Sequence, residues 1–199
     1  MKLTQKLFCA SALVGSLFAT NAYADAVHEG FDLRLAPSAV IVAHSGPESG
    51  DMVVGANLTA SIGYRFHRNV GAYFTQDLGF AWKPGEGDDY DYDDEEEGSS
   101  ASFVGGSYAV VRGIVGVNYD DVEFSFGAGA GAMYGPGIGG GACFAIKLSV
   151  GVTYYVTDIF GIGVNVDYNL GFKRPSDEFE IDMHLIHQIN PGILFQINF

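Results

Sequence analysis

Three features of the sequence predict an all-β chain folded as an eight-stranded antiparallel up-and-down transmembrane β-barrel. Apolar and polar residues alternate with a period of two over most of the chain, the mark of strands with two different faces. The alternating runs are mostly ten or more residues long, whereas globular strands have about five or six and tilted membrane strands about nine to eleven. The connections alternate between tight and long, the habit of a barrel that turns quickly on one side of a membrane and loops out on the other.

Composition narrows the field. The chain has 199 residues, 48% hydrophobic and only 17% charged, with 28 glycines and a formal charge of −14. That much apolar content excludes a wholly disordered chain. The acidic balance excludes a nucleic-acid binder, which needs a basic face. A helical membrane protein is excluded because only the N-terminal window approaches the required hydrophobicity.

Residues 1–24 read as a cleaved secretory signal peptide. Lys2 and Lys6 form the positive start, Leu7 to Phe18 the apolar stretch, and Asn21-Ala22-Tyr23-Ala24 the small-x-small cleavage site. Cys9 follows Phe8 rather than a small residue, so it is not a lipidation site. Cys143 is then the only cysteine left, and no intramolecular disulfide is available.

Residues 25–199 form the barrel domain, with eight runs in order at 31–43, 52–66, 70–82, 103–117, 122–134, 142–156, 159–172 and 183–199. The first is the least regular, because Pro37 interrupts Leu33, Leu35, Ala39 and Ile41. The second is the cleanest: Val54, Ala56, Leu58, Ala60, Ile62, Tyr64 and Phe66 alternate with Gly55, Asn57, Thr59, Ser61, Gly63 and Arg65. The third ends on Phe80 and Trp82, and the fourth begins at Phe103. In the fifth, Phe124, Phe126, Ala128, Ala130 and Ala132 oppose Glu123, Ser125, Gly127, Gly129 and Gly131. In the sixth, Phe144, Ile146, Leu148, Val150, Val152 and Tyr154 oppose Ala145, Lys147, Ser149, Gly151 and Thr153. In the seventh, Phe160, Ile162, Val164, Val166, Tyr168 and Leu170 oppose Gly161, Gly163, Asn165, Asp167 and Asn169. The eighth closes on Ile193-Leu194-Phe195-Gln196-Ile197-Asn198-Phe199. Segments 67–69, 118–121 and 157–158 are tight turns; 44–51, 83–102, 135–141 and 173–180 are the long loops.

On these residues the chain resembles the small eight-stranded outer-membrane barrels of Gram-negative bacteria, the OmpA-like, OmpX-like and OmpW-like group, over nearly the whole of 25–199. The most specific element is the end: Phe195, Ile197 and Phe199 at every second position are similar to the signal read by the outer-membrane assembly machinery. The resemblance implies a bacterial outer-membrane location, termini on the periplasmic side, and lipid, lipopolysaccharide and the barrel assembly machinery as partners.

Alternation alone does not say which face points outward. A soluble lipocalin-like binder is also an eight-stranded barrel, with its apolar face inside. Two features favour the membrane form besides Phe199. Glycine and small polar residues crowd the polar face, as a narrow lumen requires. Aromatics gather at the ends of the apolar face, with Phe66, Tyr154, Phe160 and Phe199 at one end and Phe80, Trp82, Phe103, Tyr134, Phe144 and Phe172 at the other. That is the girdle expected at two lipid–water interfaces.

The polar parity then places Arg34, Arg65, Arg112 and Lys147 in the lumen with Asp32, Asp77, Glu123 and Asp167, four of each sign. Balance is expected because an unpaired charge in a dry lumen is costly. With a three-residue turn at 156–158, Lys147 and Asp167 fall directly opposite each other and pair. A packed polar lumen of this kind plugs the barrel. The other reading of the same charges is a conducting pore.

Other motifs carry less. Asp89, Asp91, Asp93 and Asp94 lie in an acidic run on the second long loop and form a weak Ca²⁺ candidate, lacking the glycine and Glu spacing of an EF-hand. A solvated acidic loop is the expected reading, and no cofactor is expected. Gly127, Gly129 and Gly131 keep the inner face small beside large neighbours, whereas Gly135, Gly137 and Gly139–141 belong to a loop without phosphate-binding context. Cys143 is an inward-facing small residue near the rim. His184 and His187, three apart on a strand, face opposite sides. The resembled group includes lipid A deacylases with a His and a Ser two residues apart on one strand. That pattern is absent, and no enzyme activity is expected. The function expected is a structural or surface-interaction role through the loops. The alternative is a narrow channel or transporter for small or hydrophobic solutes, as the OmpW-like resemblance implies.

Overall fold

The computed structural model describes residues 29–45, 52–82, 101–117, 121–135, 141–173 and 184–199. The segment 1–24 read from sequence as a signal peptide, the acidic run with Asp89, Asp91, Asp93 and Asp94, and most of the four long loops lie outside the described residues.

Eight strands follow in sequence: β1 (Gly30–Ser45), β2 (Val53–His67), β3 (Val70–Trp82), β4 (Ala101–Val117), β5 (Val122–Tyr134), β6 (Cys143–Tyr155), β7 (Phe160–Lys173) and β8 (His184–Asn198). Each pairs antiparallel with its neighbour, and β8 pairs with β1 to close the barrel. Three of the expected loops are shorter than the sequence suggests. His44 and Ser45 extend β1, Ala101 and Ser102 begin β4, and Lys173 ends β7. Ladder pairing carries these residues past the point where alternation fades.

Following inward-facing partners around the wall gives the stagger. The path runs Arg34, Ser61, Thr75, Tyr108, Gly131, Ala145, Gly171, Ile186 and back to β1 at His44, ten residues beyond its start. A stagger of this kind accompanies strands steeply tilted to the barrel axis, and an eight-stranded interior is just wide enough for side chains to fill. The ends meet at the turn side, where Phe199 N donates to Phe31 O at 2.8 Å. Gly30 has φ of +137° there, and a Cβ on it would strike Phe199 O.

The two faces are inverted relative to a soluble barrel. The outward side chains are apolar: Ile62 is 57% exposed, Val150 51% and Phe199 73%. The lumen holds Arg65, Lys147, Asp77 and Gln196, nearly or wholly buried. An apolar surface encircling the whole molecule is stable only against lipid. Aromatic pairs mark its two rims, with Phe31 against Tyr64 at 5.3 Å near the turns and Phe144 against Phe172 at 5.9 Å near the loops. Val150 sits near the middle of β6, so Val150→Arg is expected to cost about 2–4 kcal/mol in a bilayer. Guanidinium unfolding of the two proteins in lipid vesicles measures that cost directly.

Candidate functional site

The lumen is the site the sequence pointed to, and it divides into levels. Near the turns, Arg65 at the end of β2 reaches across the barrel to Glu123 on β5. Its Nη1 and Nη2 donate to the two carboxylate oxygens at 2.7 and 2.8 Å, and its Nε donates to Asp32 at 3.1 Å. A fork-on-fork pair of this kind is directional as well as strong. A register shift between Arg65 and His67 falls at this point, and such bulges re-aim side chains. Asp32 also accepts from Arg34 Nε at 3.2 Å and from Tyr73 OH at 2.8 Å. Tyr155 OH donates to Glu123 at 2.7 Å and accepts from Gln196 and Asn198, each at 2.7 Å.

The next level is built on Lys147 of β6. Its Nζ donates to Asp77 at 2.8 and 3.0 Å and lies 2.9 Å from Asp167. Asn169 and Thr59 donate to the same Asp77 carboxylate at 3.0 and 2.7 Å, and the ammonium sits 5.0 Å from the Tyr108 ring centre. All three charged groups are buried. Lys147 and Asp167 do meet, but not in the register the sequence suggested. Lys147 pairs with Asn169, and Asp167 with Ser149. The turn takes in 156–159, because Val156 N bonds back to Phe160 O at 2.9 Å and Phe160 N to the Thr157 hydroxyl at 3.0 Å. The register therefore moves by two residues. A shift of two preserves the face, so the ion pair forms diagonally.

Between these levels, Arg112 is held by packing. Its guanidinium lies over the Tyr73 ring at 4.6 Å, and Nη2 donates to Ser61 at 3.3 Å. Arg34 Nη1 donates to Ser125 at 3.3 Å. A cavity of about 10 Å³ lies between them, lined by Arg34, Arg112, Asn165 and Asp167. That is roughly the space of one water molecule and far below that of a solute. Thus all eight charges assigned to the lumen face inward, and the fold brings seven of them into ion pairs: Asp32, Arg34, Arg65 and Glu123 at one level, Asp77, Lys147 and Asp167 at the other.

Toward the loops the interior departs from a wholly polar lumen. Val40, Val42, Val53, Ala81, Val104, Met133, Cys143 and Ile186 form a buried apolar cluster there. Gly171 leaves the space in which Met133, Cys143 and Ile186 converge. Reading one apolar face per strand hid this plug, because β1 and β4 are apolar on both faces near their loop ends. The sequence reading also passed over Tyr73 and Tyr155, which link charged groups, and Tyr108, whose ring lies under the Lys147 ammonium. Their signal was present: Tyr73 has the parity of Asp77, Tyr108 of Arg112, and Tyr155 of Lys147. The terminal Phe195, Ile197 and Phe199 lie on the outward face, where Phe195 and Phe199 stand exposed.

A closed eight-stranded barrel with a lipid-facing apolar wall and a filled lumen defines a small transmembrane barrel of the outer-membrane kind. Among solved structures, the chain is similar to Neisserial surface protein A, at 15% identity and a TM-score of 0.58, covering 87% of this chain and 99% of that one. It is also similar to the outer membrane protein OprG from Pseudomonas aeruginosa, at 9% identity and a TM-score of 0.49 over 87% and 99% of the two chains. The outer membrane protein AlkL gives 13% identity and 0.48 over 89% and 94%. At these identities the likeness is one of fold. No family model matches the chain, and no curated protein matches it.

Proposed function

We propose that this chain is an integral bacterial outer-membrane protein whose barrel is a non-conducting scaffold, with a structural or surface-contact role carried by its loops. The observation behind this reading is the closure of the lumen by successive barriers: the Arg65–Glu123 network, the Lys147 network and the apolar plug around Met133. Moving a hydrated ion past these levels requires separating buried ion pairs, and a buried charge parted from its partner is costly. Lipid and lipopolysaccharide surround the wall, and Phe195, Ile197 and Phe199 present the assembly signal to the insertion machinery. The loops carry the acidic run and supply the contact surface.

Planar-bilayer recording tests the reading. Folded protein, verified by a heat-dependent shift in gel mobility, is expected to give no sustained unitary conductance. Steady single-channel steps from the same preparation would transfer the assignment to a narrow channel.

A further inference from the structure

Three side chains outside the lumen form a chemically organised cluster. Ser45 ends β1, His187 lies on β8, and Tyr168 on β7, with β8 standing between β7 and β1 at the closure. Ser45 Oγ is 2.7 Å from His187 Nε2, and Tyr168 OH is 2.7 Å from His187 Nδ1. Leu170 and Ala43 are the ladder partners of His187, so it sits between its two partners across neighbouring strands. All three carry the outward parity, shared with exposed Val164 and Val166 on β7 and with Ile189 and Ile193 on β8. Ser45 is exposed, and the other two are half-buried. The cluster lies toward the loop-side rim, where Phe144 and Phe172 pair on the same wall.

A hydroxyl within hydrogen-bonding distance of an imidazole whose second nitrogen is held by a third group is the arrangement of an activated serine. We propose that Ser45 and His187 form an ester-hydrolysing site on the lipid-facing wall, with Tyr168 as positioning residue. Its substrate class is a long-chain carboxylic ester presented at the membrane–water interface. In the productive tautomer, Nδ1–H donates to the Tyr168 oxygen and Nε2 accepts from the Ser45 hydroxyl. Ser45 Oγ bonds to the ester carbonyl carbon while its proton passes to Nε2. The carbon–alkoxy bond then breaks, and the imidazolium returns that proton to the departing alcohol. Water repeats the sequence on the acyl-serine, giving the free acid and restoring Ser45. The substrate approaches from lipid, so the site works on a barrel whose lumen stays closed.

The test uses the full chain folded in detergent micelles, with the heat-dependent gel shift run on every variant as the control for folding. A fluorophosphonate probe is expected to modify Ser45, located by peptide mass spectrometry, and the protein is expected to hydrolyse p-nitrophenyl laurate. Ser45→Ala abolishes both, and His187→Gln lowers the hydrolysis rate by roughly 10²–10⁴-fold. Tyr168→Phe keeps the ring and lowers kcat several-fold with KM unchanged, the sign of an interaction expressed in the transition state. The proposal is overturned if folded wild-type protein carries no adduct at Ser45, or if hydrolysis survives in Ser45→Ala.

Discussion

Replacing Lys147 by methionine is expected to destabilise the barrel by about 3–5 kcal/mol, the usual cost of removing one partner from a buried charge pair. The reason lies in what the ammonium holds. Asp77 and Asp167 both lie against Nζ, and neither carboxylate is exposed. Without the cation, two like charges are left in a lumen from which bulk water is excluded. Thr59 and Asn169 still donate to Asp77, but neutral donors do not offset a second carboxylate. Adding Asp77→Asn and Asp167→Asn to Lys147→Met should recover much of the loss, because uncharged amides in the same space carry no repulsion. The single tryptophan, Trp82, stands on the outward face and reports unfolding by guanidinium through its fluorescence. A loss under about 1 kcal/mol would mean that the charges are screened as they are at a wet surface. The lumen would then be hydrated, and the closed-barrel reading would fail with it.

A valine at Gly131 is expected to prevent formation of the compact, heat-modifiable barrel. Gly131 faces inward on β5, opposite Tyr108 of β4. A Cβ there would drive into the backbone oxygen of Ser107 and stand 2.8 Å from Tyr108 Cα. Overpacking by a side chain that neighbours can accommodate costs about 1–3 kcal/mol. Here the obstruction is backbone already committed to the ladder, so the β4–β5 pairing itself must part. Ala130→Val, one residue away on the lipid face, adds similar bulk into a fluid surround and should leave the gel shift intact. Equal behaviour of the two variants would remove the case for an inner wall kept small to admit Tyr108.

Much of this architecture was legible in the sequence because a barrel strand writes its two environments at alternate positions. The β3 and β5 limits inferred from alternation, 70–82 and 122–134, coincide with the strands. The eight lumen charges followed from parity, since a side chain on the wrong face would be left as a charge in lipid. Three things escaped that logic for three physical reasons. The Lys147–Asp167 register depends on how the Val156–Phe160 turn closes, and a two-residue slip leaves the parity unchanged. The apolar plug uses valines on the polar parity, where composition along a single strand gives no contrast. The Ser45–His187–Tyr168 cluster joins residues 142 and 19 positions apart, brought together by the closure of β8 onto β1 and by the register of the β7–β8 ladder.

In the sequence by itself, the strand count and the balance of charge within follow from alternation, a local consequence of the pleat, and the facing of the strands from the aromatic ends of the apolar face and the terminal Phe199. Which charge meets which, how the lumen is sealed toward the loops, and which outward polar groups touch were decided only by the tertiary structure. Those contacts depend on stagger and closure, and both are properties of all eight strands together.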